Sequence, residues 1–258
     1  MLVEAADALL PLRKRNGTIT FCGDADLTDY HTPLGSGSTD AFVEAARDWS
    51  GHRVDLDSLP AEASVAMSSA LTRAGVDVRS ERHATAAVLR LPDSFDDWLG
   101  TIGKKQRHEV RRKRRRFAEE LGEPTIERHH DQRALKTFFA MHRRASGAKG
   151  DFMTPRMEAF FAGLHATAGA TVDVLLGDGR PVATAFGFEC DCGYYLYNSA
   201  YDPAAGYASP GTVMLALLIE DQIRRGAEVF DFLKGDEQYK FRLGAEERPL
   251  FRLQGRLP

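Results

Sequence analysis

The order of elements between residues 171 and 233 constrains this chain more than any bulk property does. TVDVLLG and PVATAFGFEC are apolar runs of strand length separated by Asp178-Gly179-Arg180, and an Asp-Gly pair between two such runs marks a hairpin turn. GYYLYNSAY, 193–201, supplies a third consecutive strand. After the loop DPAAGYA, the segment SPGTVMLALLIEDQIRRG reads as a helix: Ser209 caps it, Pro210 opens it, Arg224 and Arg225 suit its negative end and Gly226 stops it. EVFDFL, 228–233, is the next strand and PLFRLQ, 249–254, the last. Upstream, ALKTFFAMHRRAS, 134–146, and TPRMEAFFAGLHATA carry helical periodicity, the second with Thr154 as N-cap and Pro155 at the first helical position. The predicted order is helix, helix, three meandering strands, helix, strand, turn, strand.

The first hundred residues give a weaker α/β pattern. ITFCG, 19–23, reads as a strand, TDAFVEAARDWS, 39–50, as a helix capped by Thr39, and HRVDLDSL, 52–59, as a strand. A helix ending at Gly75 and a strand over ATAAVLRL, 84–91, follow. Ser94 is expected to cap a helix carrying Phe95, Trp98, Leu99 and Ile102, which runs on through a basic segment with Val110, Phe117 and Leu121 as a narrow apolar stripe and ends near Gly122.

The net charge of −3 hides its distribution. In KKQRHEVRRKRRR, 104–116, nine of thirteen residues are Lys or Arg and only Glu109 is acidic, so the segment carries +8 and the rest of the chain −11. Such a block is either a solvated helix face or a footprint for a polyanion: phosphate, nucleic acid such as tRNA, or an acidic glycan. Aromatic interleaving, which would suit stacking of single-stranded bases, is missing from it. The longest apolar stretch, Val213 to Ile219, is far short of the roughly 20 residues that span a bilayer, and Glu4 and Asp7 break the opening pattern of a secretory signal. The three cysteines, Cys22, Cys190 and Cys192, cannot all pair, and the last two are too close for an easy bridge along one strand, which points to a reducing cytoplasm. His129 and His130 have no Cys or His at ligand spacing, so no metal is expected. His142 and His165 read as satisfied histidines of amphipathic helices.

Three segments, "SPGTVMLALLIEDQIRRGAEVFDF", "FDFLKGDEQYKFRLG" and "KKQRHEVRRKRRRF", together resemble the CelD-like branch of the GNAT acyltransferases, which is distantly similar to the Fem peptidyltransferases that use aminoacyl-tRNA. The resemblance covers roughly residues 50–258. It implies an α/β (α+β) GNAT fold, with a partial GNAT-like half over 1–95, a basic connecting helix over 96–130 and a C-terminal acyltransferase domain over 131–258. It implies an N-acyltransferase that takes an acyl group from acyl-CoA, such as acetyl-CoA, to a small-molecule amine, an amino sugar or amino acid. The usual phosphate loop, Arg/Gln-x-x-Gly-x-Gly/Ala, is replaced here by AAGYASPG. Two alternatives therefore stand beside that reading: a Fem-like ligase fed by aminoacyl-tRNA, and a non-catalytic module that binds a polyanion or a partner protein.

In this reading the pyrophosphate of coenzyme A sits at the helix N-terminus formed by Ser209, Gly211 and Thr212, where free N–H groups and the positive dipole end suit an anion. Arg107, Arg111 and Arg112 are candidates to reach a phosphate, because guanidinium forks match it bidentately. Amine acylation needs no covalent enzyme intermediate, only a proton acceptor and a group that steadies the departing thiolate. Asp231 or Glu237 is the candidate to position or deprotonate the amine. Asp231 is read as sharing a strand face with Val229 and Leu233, and Asp236 as a turn carboxylate beside it. Lys240 is a candidate anion contact. Tyr239 alternates with Phe241 and Leu243, leaving it between a core role and proton donation.

Overall fold

The computed structural model describes every residue except Met1, Ala6, Ala25, Ala168 and Asp191. In chain order the elements are β1 Leu2–Ala5, β2 Ala8–Arg15, β3 Thr18–Phe21, α1 Ser38–Ala46, β4 Arg53–Pro60, α2 Ala61–Arg73, β5 Arg79–Arg90, α3 Phe95–Thr101, α4 Lys104–Leu121 and β6 Thr125–His129. There follow α5 Gln132–Arg144, α6 Ala148–Phe152, α7 Pro155–His165, β7 Ala170–Gly177, β8 Arg180–Cys190, β9 Gly193–Tyr201, α8 Pro210–Arg224, β10 Val229–Lys234, α9 Gln238–Arg242 and β11 Glu246–Arg256. The chain forms two compact units, one of Met1–Ala87, Leu233–Asp236 and Glu247–Pro258, the other of Val88–Phe232 and Glu237–Glu246.

In the first unit the strands run in the order β1-β2-β3-β4-β11. They pair antiparallel except for β3 with β4, which is parallel. Helices α1 and α2 close a core of Leu10, Leu12, Phe21, Phe42, Leu56 and Met67, all essentially without exposure. Gly37, not Thr39, occupies the N-cap of α1, and no side chain caps it.

In the second unit the order is β10-β9-β8-β7-β6. β6 through β9 form an antiparallel meander and β10 joins β9 in parallel. The predicted hairpin is present: Asp178 and Gly179 adopt φ of 49° and 69°, the left-handed pair that a two-residue turn demands. Side chains cap α3 through Ser94, α5 through Asp131 and α7 through Thr154, each accepting the N–H three residues on. The helix expected from Ser94 to Gly122 is two helices, because α3 ends at Thr101 and Gly103 precedes α4. Phe138, Phe161 and Phe186 make an aromatic core with ring centroids 5.0–5.8 Å apart.

That core traps a histidine against expectation. His142 is 1% exposed, packs edge-on to Phe138, and has neither ring nitrogen in a well-formed hydrogen bond among the described residues, Asn198 and the Lys149 backbone offering only weak ones. Burial, with Lys149 nearby, pushes its pKa down from 6.5 to about 4. The unfolded chain therefore binds a proton below pH 6.5 that the folded chain refuses until about pH 4, so stability is intact above that window and falls as pH drops through it. At about 1.4 kcal/mol per unit the loss is roughly 3 kcal/mol. Urea unfolding of wild type and His142→Leu across this range checks it: the slope with pH is expected to be shallower in the variant, and equal slopes would assign the titration elsewhere.

Candidate functional site

The parallel register between β9 and β10 is short. Val229, Phe230 and Asp231 face Gly193, Tyr194 and Tyr195, while β9 continues to Tyr201 and β10 to Lys234. After β9 the chain makes a 3-10 turn over Pro203–Ala208, held by Asp202 accepting the Ala204 N–H, and enters α8. Ser209 does not cap by its side chain. It sits left-handed, at φ 57° and ψ 47°, and its carbonyl accepts the N–H groups of Thr212 and Val213. The strict turn between Ala208 and Pro210 overrides the usual extended N-cap conformation. Pro210 brings no N–H, and the N–H of Gly211 has no partner among the described residues.

Charge accumulates at this end of α8 in the sense opposite to ordinary helix design. No acidic residue lies in its first turn, and Lys113 of α4 places its Nζ 3.1 Å from Thr212 Oγ1. A cation at the positive end of a helix dipole is unfavourable by a few tenths to about 1 kcal/mol, a cost that the Glu109 carboxylate, 3.5 Å from Lys113 Nζ, offsets in part. The Tyr201 ring lies against Gly211, 3.6 Å from where a Cβ would sit, and the exposed Lys149 places its Nζ 5.9 Å from the centre of that ring. Of the arginines named from sequence, Arg111 makes an exposed contact of 3.9 Å with Asp96, and Arg107 has no ion pair among the described residues. Arg112 pairs with Glu109 at 2.8 Å. Lys113 and Lys149 were the missed residues. Lys113 was hidden in a run of like charges, and Lys149 had no pattern around it.

The charged bend after β10 divides by role. Leu233 turns left-handed at φ 59°, and the Lys234 N–H donates to Asp29 Oδ1 at 3.0 Å. Lys234 Nζ donates to Thr28 O and Ser58 Oγ, both at 2.8 Å, so this lysine clamps the bend. Asp236 is exposed and lines a cavity of about 500 Å3 with Arg82, His83, Thr85 and Lys234 in the first unit.

The segment after the bend does not follow the alternation of Tyr239, Phe241 and Leu243 read from the sequence. Gln238–Arg242 is the short helix α9, closed by Leu243 N–H to Tyr239 O and anchored where Trp98 Nε1 donates to Leu243 O at 2.9 Å. Helical spacing puts Lys240 inward, 3% exposed, with Nζ 2.9 Å from Glu237 Oε2, so the candidate anion contact already holds a carboxylate of its own chain. Burial pushes Glu237 up, but the hydrogen bond and charge of Lys240 outweigh it and hold the carboxylate below its usual range. Tyr239 is 41% exposed, not core. Crowding around its phenol, with the Glu237 charge, raises its pKa to about 12. Asp231 is buried at 1% exposure in a strand with both faces covered over Phe230–Leu233. Its charge contributes to an upward shift of Tyr195, led by burial. Among the described residues no group of three or more His, Cys, Asp or Glu is placed to hold a metal, and no helix is long and apolar enough to cross a membrane.

An antiparallel meander, a helix whose open first turn can take an anion, and a parallel strand returning beside the meander define the GNAT class of acyltransferase folds. The chain belongs to that family: the acetyltransferase (GNAT) domain matches residues 104–241. Among solved structures it is similar to L-PGS from Bacillus licheniformis, at 15% identity and TM-score 0.68, over 99% of this chain and 83% of that one. It is also similar to the C-terminal domain of a proposed lysylphosphatidylglycerol synthetase from Agrobacterium fabrum, at 14% identity and TM-score 0.66, over 98% and 82%. FemX aligns at 11% identity and TM-score 0.61, over 95% and 84%. At these identities the likeness is one of fold. No curated protein sequence matches the chain.

Proposed function

We propose that the chain is a cytoplasmic N-acyltransferase of the CelD-like branch that moves an acyl group from acyl-CoA to the amine of a small molecule, an amino sugar or amino acid. The observation that carries this is the first turn of α8, with an unspent Gly211 N–H and the Lys113 ammonium on Thr212. These groups fit a pyrophosphate, and Arg107 and Arg111 extend the positive surface along α4. In the reaction the amine nitrogen bonds to the thioester carbonyl carbon, the C–S bond breaks, and one proton passes from nitrogen to the medium or the thiolate. Asp231 is taken as the proton acceptor, because Glu237 is already engaged by Lys240, whose hydrogen bond and charge hold it below its usual range. Tyr239 keeps its proton at neutral pH, and a phenol near pKa 12 is too weak an acid to hand it fully to a thiolate of pKa about 8.5. Its part is to hydrogen-bond that thiolate. Lys240, through Glu237, fixes the turn that presents Tyr239.

Gly211→Ala separates binding from folding. A Cβ at Gly211 meets only Tyr201 Cδ1 at 3.6 Å, an ordinary contact, so stability should hold or rise slightly. The methyl group shields the N–H, and losing one hydrogen bond to a charged phosphate costs about 1.5–3 kcal/mol. Calorimetry should therefore show acetyl-CoA affinity reduced roughly 10- to 100-fold, with an unchanged melting temperature. Unchanged affinity would place the donor elsewhere.

A second reading, a Fem-like ligase using aminoacyl-tRNA, draws on the exposed cations Lys104, Lys105, Arg111, Arg112, Arg115 and Arg116 of the same helix that delivers Lys113. Thiol release from acetyl-CoA with amine acceptors supports the first reading, and product formation only with charged tRNA supports the second. Binding of either without turnover leaves a non-catalytic module.

A further inference from the structure

The hairpin between β8 and β9 carries two thiols that the proposed acyl transfer does not use. Cys190 ends β8, where its register partner is Gly193, the first residue of β9. Their Sγ atoms are 3.2 Å apart and both residues are exposed. The reversal is held from outside the hairpin, since Cys192 O accepts the N–H groups of Glu228 and Val229 at 3.0 and 3.2 Å. A Cβ at Gly193 would lie 2.5 Å from Val229 O, so glycine is what allows that clamp. Cys190 also lines a cavity of about 360 Å3 with His130, Thr171, Glu189, Gln222 and Arg225.

We propose that Cys190 and Cys192 form a reversible dithiol–disulfide couple, closed by a low-molecular-weight disulfide that enters this cavity and first joins Cys190. The Cys190 thiolate attacks one sulfur of the incoming disulfide, whose S–S bond breaks and releases one thiolate. The Cys192 thiolate then attacks Cys190 Sγ and expels the second. Two electrons and two protons pass from the protein to the small disulfide, which leaves as two thiols. The order of attack follows from the surroundings. Burial pushes Cys190 up, but the Cys192 thiol and the N–H groups of Cys192 and Gly193 outweigh it and lower its pKa, while the hydrogen bond with Cys190 raises that of Cys192.

The test uses the full chain in glutathione buffers of increasing oxidised fraction, with intact-mass analysis and thiol counting. Wild type is expected to lose two hydrogens in mass and two of its three thiols, leaving Cys22 free, and to recover them on reduction. Cys192→Ser should stop at one glutathionyl group on Cys190, and Cys190→Ser should not close a ring. Three free thiols in the oxidising buffer would overturn the proposal. So would glutathionylation spread equally over Cys22, Cys190 and Cys192, or bridges formed only between chains.

Discussion

Asp231→Asn is expected to lower kcat by about 10²- to 10⁴-fold, the span that general-base groups contribute, while the KM for acyl-CoA and the melting temperature stay close to wild type. The substitution keeps size and shape in a strand position that is 1% exposed, and it replaces the carboxylate with an uncharged amide that cannot serve as the base. An acceptor amine of the α-amino type, with a pKa of about 7.7–8.0, is largely protonated at neutral pH, so a chain without the acceptor group should recover rate as pH rises. Wild type should show a plateau where the variant still climbs. Asp231 is also felt electrostatically by Tyr195, its register partner across the parallel pair, so the variant should ease the upward shift of that phenol. A variant that loses stability and activity in proportion, with an unchanged pH profile, would make Asp231 structural and return the proton to another group.

The legible parts of the sequence were those fixed by local rules. Asp178-Gly179 announced its turn because both residues must take positive φ, and Thr154-Pro155 and Ser94 announced helices because capping needs only the next three residues. What was not legible depended on partners remote in sequence. Tyr239, Phe241 and Leu243 alternate like a strand, but the carbonyl of Leu243 is claimed by Trp98, 145 positions away, and the segment coils into α9. β2 was hidden by Pro11, which reads against a strand, and its pattern of buried positions dissolves into Arg13-Lys14-Arg15. β6 is a mostly polar strand at the end of its sheet, where one neighbour suffices to define it and no apolar alternation is required. The candidate site follows the same division. Ser209, Gly211 and Thr212 were placed at a helix start by Pro210. The burial of Lys240 and the reach of Lys113 come from helix packing, which spacing alone does not encode.

The largest loss of stability is expected from Asp173→Ala. Asp173 is fully buried on β7 and accepts from Arg128 Nε at 2.7 Å, Tyr194 Oη at 2.7 Å and Thr171 Oγ1 at 3.2 Å. Arg128 is itself 9% exposed, with its guanidinium 5.4 Å from the centre of the Tyr194 ring, so the alanine leaves a cation and a phenol hydroxyl inside the protein without this acceptor. Removing one partner of such a pair costs about 3–5 kcal/mol. For a chain of this size that is a fall in melting temperature on the order of 10 °C. The double variant Asp173→Leu with Arg128→Met should lose less than the single one, because no buried charge is stranded and the pair's own desolvation cost disappears with it. Glu189 and Asp221, which also hold Arg128, keep Arg225 at 3.7 and 2.8 Å and are not abandoned by the double change. If the double variant is the less stable of the two, the network stabilises the sheet by more than the cost of burying it, and the strands carrying Tyr194 and Asp173 depend on charge rather than on packing.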